Sequence, residues 1–512
     1  MSKELSSKKL ELEFMRHSAA HVLAAASAQI KPETKLGVGP ATENGFFHDI
    51  YVDENYSEED LKLLEKKMQE IKKMDLPIKQ KEVSKKEARE MFKNDPFKLE
   101  LIEEIEGEKV GVSEMGPLKS SDDDSEAKDS FFVTLCEGGH VASTGKIGEF
   151  KLTHLSGVYW QGDESKPQMQ RIFGVSFPTK KELDEYLELM EEAKKRDHRK
   201  IGKQLDLFVF SPLVGPGLPL FTPRGTIIRR ELEKLLQSIQ KKYGYRPVYI
   251  PHITKKALYE TSGHWDKFQE DLFHVRGKSE DDFVMKPMNC PHHTQIYASC
   301  KRSYRDLPIR YSEVTTVYRD EQAGELQGLS RVRAITQDDA HVFCSLDQIE
   351  GEVNAVLDIF DQFYRAFDFE LSPRLSLRDP KKPELYLGDG EVWEKAEDIL
   401  RKLTRERKMS AAEQEGEAAF YGPKIDFIAN DCLGREWQLA TVQLDFNMPA
   451  RFGLKYVDAE GQEQTPIMIH RAVMGALERF MSILLEHYAG NLPLWLSPTQ
   501  VMVCLLYTSP SP

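Results

Sequence analysis

Two pairs of residues that could bind a metal or position water occur at the same spacing in the first third of the chain. His17 and His21 lie four residues apart in FMRHSAAHVLAAASAQ, and Cys136 and His140 lie four residues apart in TLCEGGHVASTG. The spacing of His17 and His21 places both imidazoles on one face of a helix. If the two pairs converge, they form a polar cluster able to position a water molecule for hydrolysis. The ligand types also suit zinc, and a metal-free cluster that only stabilises the domain is a further alternative.

A second group of reactive side chains lies within residues 309–343. Two β-prone stretches flank a polar loop that contains glycine, which indicates an antiparallel hairpin. The hairpin carries these charged or polar residues: Arg319, Glu321, Arg331, Arg333, Gln337, Asp338, Asp339 and His341. Strand alternation places Gln337, Asp339 and His341 on one face, and arginines across a hairpin suit a phosphate, which guanidinium binds through paired hydrogen bonds. A solvated strand can carry the same charges, so composition alone leaves both interpretations open.

The surrounding sequence predicts the elements that must position these residues. Apolar periodicity predicts helices over 14–30, 58–74, 84–106, 179–208 and 226–245. β-prone runs predict strands over 131–136, 154–162 and 170–177. The polar, turn-rich stretch 107–130 between them is predicted to be a loop or an exposed hairpin.

Composition limits the class of protein. The 512 residues provide room for two or three domains, and the net charge of −14 does not indicate a general nucleic-acid binder. A local basic face can still bind RNA, and one such cluster follows the charged helix: Lys194, Lys195, Arg196, Arg199, Lys200 and Lys203. The six cysteines show no disulfide framework spacing, and no apolar run is long enough for a membrane span. We therefore expect a soluble protein of the reducing cytoplasm.

Several blocks of the sequence resemble one enzyme family. Residues 309–343, with YRDE at 318–321, resemble motif 2 of the class II aminoacyl-tRNA synthetases; MGALERF, which contains Arg479, resembles motif 3, and KKYGYRPVYIPHI, with Pro251, resembles motif 1. Five further blocks are together similar to the threonyl-tRNA synthetase family: MKPMNCPHH, SGHWDKF, GLSRVRAITQDDAHVFC, AFYGPKIDF and WQLATVQLDF. The HxxxH…CxxxH arrangement is similar to the editing domain of threonyl- and alanyl-tRNA synthetases.

This resemblance implies an α+β fold, in which an α+β editing domain precedes a catalytic domain with an antiparallel sheet flanked by helices. The expected divisions are an editing domain at 1–185, a linker helix at 186–204, a catalytic domain at 205–495 and a tail at 496–512. The tail resembles the truncated start of an anticodon-binding domain. That domain and the small N-terminal ubiquitin-like domain of bacterial members are expected to be absent.

The resemblance implies a zinc ion, one per subunit, held by Cys290, His341 and His470. Their spacing matches no zinc-finger pattern, so the residues alone do not indicate the site. One thiolate and two imidazoles leave coordination positions open for the amino group and hydroxyl of threonine. Such a site can reject valine, which lacks the hydroxyl. His292, where glycine is common in the family, adds an imidazole next to the expected ligands.

The family also implies an ATP site. Arg319 and Arg479 are expected to hold the phosphates together with Mg²⁺, and Lys424 to stabilise the α-phosphate. Glu321 is expected to face the adenine; Arg331 and Gln438 complete the expected ATP contacts. The position that usually carries an aromatic residue over the adenine is Ile335, so apolar contact would replace stacking.

Threonine is expected to contact four residues: Gln337, Asp339, Tyr421 and Gln443. His264 is the family's candidate base for the tRNA hydroxyl, although a histidine beside a tryptophan is often structural.

Zinc cannot exclude serine, because serine keeps the hydroxyl and lacks only one methyl group. The cluster of His17, His21, Cys136 and His140 is therefore expected to hydrolyse seryl-tRNA, by positioning water and without an obligatory metal. An acidic residue is common two positions before the cysteine, and Thr134 there predicts altered or weakened editing.

The implied activity is that of a threonine–tRNA ligase with editing, and the implied partners are tRNA(Thr), threonine and ATP. A homodimer is expected because motif 1 usually forms the subunit interface. The alternatives are a relative that activates an amino acid without charging tRNA, and a non-catalytic RNA-binding relative.

Overall fold

The alanine-rich segment around His17 forms the long helix α1 (Ser2–Ile30), which begins earlier than predicted. Alanine side chains between Ala19 and Ala26 are almost fully buried. Because these side chains are small, α1 packs closely on α2 (Asp60–Lys73), and Leu23 lies in the core that they share.

Residues 1–190 form one of two compact units in the chain. Its other elements are β1 (Lys35–Leu36), β2 (Gly45–Tyr51), β3 (Ile78–Ser84), α3 (Lys85–Met91), α4 (Pro96–Glu104), β4 (Lys109–Met115), β5 (Phe132–Leu135), β6 (Glu149–Tyr159), β7 (Gln168–Phe177) and α5 (Lys180–Arg196), which crosses the boundary. The strands form two antiparallel sheets, in the orders β1-β2-β7-β6 and β3-β4-β5.

The second unit, residues 191–512, contains the larger sheet. Its elements are α6 (His198–Gln204), β8 (Phe208–Val209), β9 (Leu220–Phe221), α7 (Pro223–Lys242), β10 (Arg246–Pro247), β11 (Ile253–Lys255), α8 (Lys256–Ser262), α9 (Trp265–Phe268), β12 (His274–Val275), β13 (Phe283–Met285), α10 (Cys290–Ala298), β14 (Ile309–Tyr318), β15 (Ala334–Cys344), α11 (Ile349–Tyr364), β16 (Leu371–Leu377), α12 (Gly390–Glu406), β17 (Ala412–Glu415), β18 (Lys424–Asn430), β19 (Glu436–Asp445), α13 (Met448–Arg451), β20 (Tyr456–Val457), β21 (Glu463–Gln464), β22 (Ile467–Ala476) and α14 (Leu477–His487).

Eight strands of this unit form one sheet in the order β10-β14-β15-β22-β19-β18-β16-β17. The pairs from β14 to β16 are antiparallel, and the predicted hairpin is formed by β14 and β15. The edge strands β10 and β17 pair in parallel with their neighbours. Helices α11 and α14 pack on the central strands, and α7 packs on α11. This antiparallel sheet flanked by helices confirms the predicted α+β class.

The predicted helix over 84–106 is divided into α3 and α4 in the structure. The Asp95 carboxylate accepts hydrogen bonds from the amides of Phe97 and Lys98, and Pro96 occupies the first helical position. A capping aspartate followed by proline starts a new helix, so one continuous helix was the wrong prediction.

The predicted linker helix at 186–204 is likewise two helices, α5 and α6. Asp197 leaves the helical conformation, with ψ of 117°, and its carboxylate accepts a hydrogen bond of 2.8 Å from the amide of Arg199. The backbone of Asp197 therefore ends one helix, and its side chain caps the next.

Several cations of the basic cluster within 194–203 are paired with acids. Lys194 lies 2.8 Å from Glu191, and Arg199 lies 2.6 Å from Asp197. These pairs weaken the positive field that the sequence suggests, because each cation has a neighbouring anion.

The computed structural model describes residues 2–116, 131–278, 281–431 and 434–503. Most of the predicted tail at 496–512 and of the predicted loop at 107–130 lies outside the described residues. Within those ranges, the helices are all too short or too polar to cross a bilayer.

Candidate functional sites

A cysteine and two histidines from distant parts of the chain meet beside the eight-stranded sheet. His341 on β15 lies opposite His470 on β22 in the register of the two strands, and Cys290 is the first residue of α10. One possible ligand atom from each of the three lies within 4.8 Å of the others, and all three residues are buried. The structure therefore brings together the residues predicted to hold a metal, which we call the Cys290 cluster.

Each histidine of the Cys290 cluster has a partner for one ring nitrogen. His470 Nε2 lies 3.0 Å from Asp445 Oδ2, and His341 Nδ1 lies 2.7 Å from Nδ1 of His293. Partners of this kind fix the orientation of metal-binding imidazoles.

The protonation states also suit a metal. Burial lowers the pKa of His341 well below its ordinary value, so this imidazole is neutral. Burial raises the pKa of the Cys290 thiol, so a bound cation would displace its proton. One thiol and two imidazoles fit zinc with positions left open.

Polar side chains lie next to the Cys290 cluster. The amide of Asn289 donates a hydrogen bond of 3.1 Å to Asp339 Oδ2. The Tyr421 ring stacks on His470 with centroids 4.9 Å apart, and the Tyr421 hydroxyl donates to Gln443 Oε1 at 2.6 Å. Three of the four residues predicted to contact threonine are therefore held in place by specific contacts.

Gln337, the fourth, lies on β15 opposite Thr315 of β14 and Ala476 of β22. A register shift between Gln337 and Asp339 interrupts the pairing with β22. β15 pairs residue by residue with β14 throughout, so the extra residues belong to β22 and the predicted alternation of Gln337, Asp339 and His341 along β15 is kept.

His264 is buried against the same cluster. Its Nδ1 lies 2.8 Å from Ser262 Oγ, and its Nε2 lies 3.8 Å from Cys290 Sγ. Burial, with a smaller contribution from His470, lowers the pKa of His264 to about 3. The ring is therefore neutral, and the same shift makes it a weak base.

The arginines predicted to bind phosphate lie close together. Arg479, in the first turn of α14, donates a hydrogen bond of 3.0 Å from Nε to the carbonyl oxygen of Ser330. Burial lowers its pKa, and so do the positive charges of Arg319 and Arg331. Arg331 is itself paired with Glu321 at 2.6 Å. Cations held together in this way favour an anionic ligand.

Lys424 and Gln438, on neighbouring strands, both contact one buried carboxylate. Lys424 Nζ lies 2.8 Å from Asp426 Oδ2, and Gln438 Nε2 donates to Asp426 Oδ1 at 2.7 Å. Lys424 is also paired in register with Gln443. Asp426 therefore fixes two of the predicted ATP contacts beside the threonine residues.

The four residues of the repeated spacing converge in the first unit. Possible ligand atoms of His17, His21, Cys136 and His140 all lie within 4.8 Å of one another, and we call them the Cys136 cluster. Cys136 Sγ lies 3.1 Å from His140 Nε2 and 3.5 Å from His17 Nε2.

Hydrogen bonds fix the tautomers of two histidines of the Cys136 cluster, His17 and His140. His17 Nδ1 donates to the carbonyl oxygen of Gly139 at 3.2 Å. Ser18 Oγ donates to the Phe14 carbonyl, so it must accept from His140 Nδ1, which lies 3.1 Å away. Both Nε2 atoms then present lone pairs to Cys136, whose thiol has only one proton. The arrangement can bind water or a cation between the three side chains.

Comparisons with known proteins identify the family. The model of the tRNA synthetase class II core domain (G, H, P, S and T) matches residues 273–488, and that of the threonyl and alanyl tRNA synthetase second additional domain matches residues 112–173. The threonine–tRNA ligase of Cytophaga hutchinsonii is 46% identical over 493 residues, which cover 95% of this chain and 74% of the relative. The chain belongs to the threonine–tRNA ligase family.

Further members of the threonine–tRNA ligase family are also similar to this chain. The enzyme of Thermus thermophilus is 47% identical over 504 residues, covering 95% of this chain and 75% of its own. The solved RNA binding domain of threonyl-tRNA synthetase from Cryptosporidium parvum matches with a TM-score of 0.57 and 38% identity, over 59% of this chain and 74% of that one. The predicted family and its combination of class II core and editing domain are therefore confirmed.

Two buried residues near the Cys136 cluster were not among the site residues predicted from the sequence. Lys98 and His48 line a cavity of about 260 Å³ together with His17, His21 and Cys136. Lys98 Nζ donates to a backbone carbonyl at 3.0 Å, and burial lowers its pKa to about 8. A lysine beside apolar residues in PFKLELI was the available signal.

Proposed function

We propose that the protein is a threonine–tRNA ligase, which activates threonine with ATP, transfers it to tRNA(Thr) and hydrolyses seryl-tRNA(Thr). The observation that carries this proposal is the Cys290 cluster, within a chain aligned to a threonine–tRNA ligase over 95% of its length. A non-catalytic RNA-binding relative has no use for this cluster beside Asp339 and the clustered arginines.

Zinc is the metal that the Cys290 cluster would hold. Bound there, it would supply open coordination positions for the amino group and hydroxyl of threonine. Asp339, fixed by Asn289, would accept a hydrogen bond from the ammonium group. Tyr421, fixed by Gln443, would close the side-chain pocket. A site that binds the hydroxyl rejects valine strongly and serine weakly.

Activation requires charge neutralisation at the ATP phosphates. The threonine carboxylate would attack the α-phosphorus, and pyrophosphate would leave with Mg²⁺ bound. Arg319, Arg479 and Lys424 would stabilise the negative charge that develops. Glu321, Gln438 and the apolar Ile335 would hold the nucleoside, and Gln337 the adenylate.

Transfer would use His264, and editing would use the Cys136 cluster. In transfer, the terminal ribose hydroxyl would attack the threonyl carbonyl, AMP would leave, and the neutral imidazole of His264 would accept the hydroxyl proton as a weak base. In editing, the Cys136 cluster would position a water molecule against the ester of seryl-tRNA(Thr). Lys98 lies in the same cavity and would attract the anionic tRNA end.

The remaining assignments follow from family membership. We propose an editing domain at 1–185, a linker at 186–204 and a catalytic domain at 205–495, and a homodimer that acts in the cytoplasm.

Threonine-dependent exchange of pyrophosphate into ATP tests the proposal. Threonine should support exchange, serine weakly, and valine not at all. Chelation should abolish exchange and added zinc should restore it. Attachment of threonine to tRNA(Thr) separates a ligase from a relative that only activates the amino acid. Absence of threonine-dependent exchange would contradict the proposal.

A further inference from the structure

His198, at the start of α6, is only 3% exposed, and both of its ring nitrogens make hydrogen bonds within the protein. Its backbone amide and its Nδ1 both contact Glu486 Oε1, at 3.1 and 2.6 Å. Its Nε2 lies 3.0 Å from the backbone amide of Leu329. A backbone N–H can only donate, so Nε2 is the acceptor and Nδ1 carries the proton.

The two partners of His198 belong to the two segments that hold Arg479. Glu486 is in the last turn of α14, and Arg479 is in the first turn of the same helix. Leu329 precedes Ser330, whose carbonyl oxygen accepts the hydrogen bond from Arg479 Nε. One imidazole therefore links the helix that carries Arg479 to the loop that orients its guanidinium.

The loop approaches this imidazole very closely. Gly328 has a φ of +51°, and a Cβ placed on it would lie 2.2 Å from His198 Nε2. A side chain at this position would push the loop away from the ring. The contact between His198 and residues 328–330 therefore requires both the hydrogen bond and a glycine at position 328.

Glu486 is itself held on its other side. Arg435 contacts the second carboxylate oxygen of Glu486 and also pairs with Asp431. Since Glu486 is fixed, His198 cannot move without breaking its hydrogen bond to Leu329 or its hydrogen bonds to Glu486. Asp197, His198 and Glu486 could also be read as a metal site, but both ring nitrogens of His198 already have partners.

We propose that His198 is a positioning residue for Arg479, which it orients toward the ATP phosphates by holding Leu329 and Glu486 together. The inference rests on the proposed function, because Arg479 is assigned to ATP there. His198 does not touch substrate. Its loss should therefore weaken ATP binding while leaving the threonine site intact.

Two amide variants divide the contacts of His198. Asparagine places its amide near Nδ1 and can keep the bond to Glu486, whereas glutamine places its oxygen near Nε2 and can keep the bond to Leu329. In pyrophosphate exchange, H198N should raise the KM for ATP at least about fivefold, as expected for one lost buried hydrogen bond. The KM for threonine should stay unchanged. H198Q should restore most of the ATP affinity, because its side chain keeps the bond to Leu329 and the backbone amide of residue 198 still donates to Glu486.

Y488F is the matched control. It removes a hydrogen bond of 2.8 Å to the carbonyl oxygen of Phe367, just beyond the same end of α14, without touching residues 328–330. It should leave the KM for ATP unchanged. If it raises this KM as much as H198N does, the effect is general loosening of α14 and the inference is wrong.

The outcomes separate this inference from the proposed function. Wild-type protein without threonine-dependent exchange contradicts the proposed function. Active wild-type protein with an unchanged KM for ATP in H198N overturns the role of His198, and so does an equal rise in both KM values. Nitrogen chemical shifts of histidine in the wild-type protein test the geometry without any variant. They should show His198 protonated at Nδ1, and protonation at Nε2 would overturn the inference.

Discussion

His341 and His470 lie opposite each other on adjacent antiparallel strands, with their ring centroids 4.8 Å apart. The pairing of β15 with β22 sets this distance, and α10 brings Cys290 to the same place. The orientation of His470 depends in turn on Asp445, which is fully buried. Recognition of threonine, in our account, depends on this group of side chains.

Replacing Asp445 with asparagine should weaken metal binding without unfolding the site. Asp445 Oδ1 accepts hydrogen bonds from the amides of Asn447 and Met448, and an asparagine oxygen can still accept them. The charge on Oδ2, which faces His470, is lost. We expect zinc affinity to fall by about 10- to 100-fold in a competition assay with a chelator. D458N, in an exposed turn, is the control and should bind zinc normally.

Replacing Arg319 with lysine should slow activation strongly. Lysine keeps the charge but cannot form paired hydrogen bonds with a phosphate. We expect the rate of threonine-dependent pyrophosphate exchange to fall on the order of 100-fold. R374K removes the guanidinium from a surface pair with Glu436 and should have little effect. A nearly normal rate for R319K would show that Arg319 does not bind ATP.

Replacing Cys136 with alanine should separate editing from activation. Deacylation of seryl-tRNA(Thr) should fall on the order of 100-fold, because the group facing both Nε2 atoms is removed. Threonine-dependent pyrophosphate exchange should be unchanged. C300A removes an exposed cysteine and should alter neither rate. Normal deacylation by C136A would remove the Cys136 cluster from the editing mechanism.

His48 should make the first unit sensitive to acid. It is 2% exposed, and burial followed by the charge of Lys98 lowers its pKa from 6.5 to about 3. Between these pH values the unfolded chain binds a proton that the folded chain does not. Its contribution to stability is therefore complete above pH 6.5 and is lost as the pH falls toward 3.

Through this one histidine, the free energy of unfolding should change by up to about 1.4 kcal/mol per pH unit in that window. H48N keeps a donor for the Asp49 carbonyl and has no group that titrates there. Urea denaturation between pH 7 and 4.5 should show a smaller loss of stability in H48N than in wild type. H274N, which changes an exposed histidine, should lose stability with falling pH as the wild type does. An equal loss of stability in H48N and in the wild type would contradict this prediction.

Local patterns predicted the hairpin of β14 and β15 and the placing of His17 and His21 on one helix face. Each of these features depends on residues that are close together in the sequence. The pairing of His341 with His470 has no local signal, since the register of distant strands is set by the whole sheet. Only the family resemblance indicated it.

Other features had local signals that the prediction did not use. Asp95 and Asp197 each cap a new helix, yet helical periodicity continues past them and favoured single helices. Lys98 and Asp426 are charged residues among apolar neighbours. Such positions indicate a buried polar partner, but the sequence does not show which one.

Elemental analysis of the purified, active protein tests the central claim most directly. We predict about one zinc ion per chain, lost together with threonine-dependent exchange in C290A and retained in C300A. Full threonine-dependent exchange by protein that contains no zinc would contradict the account.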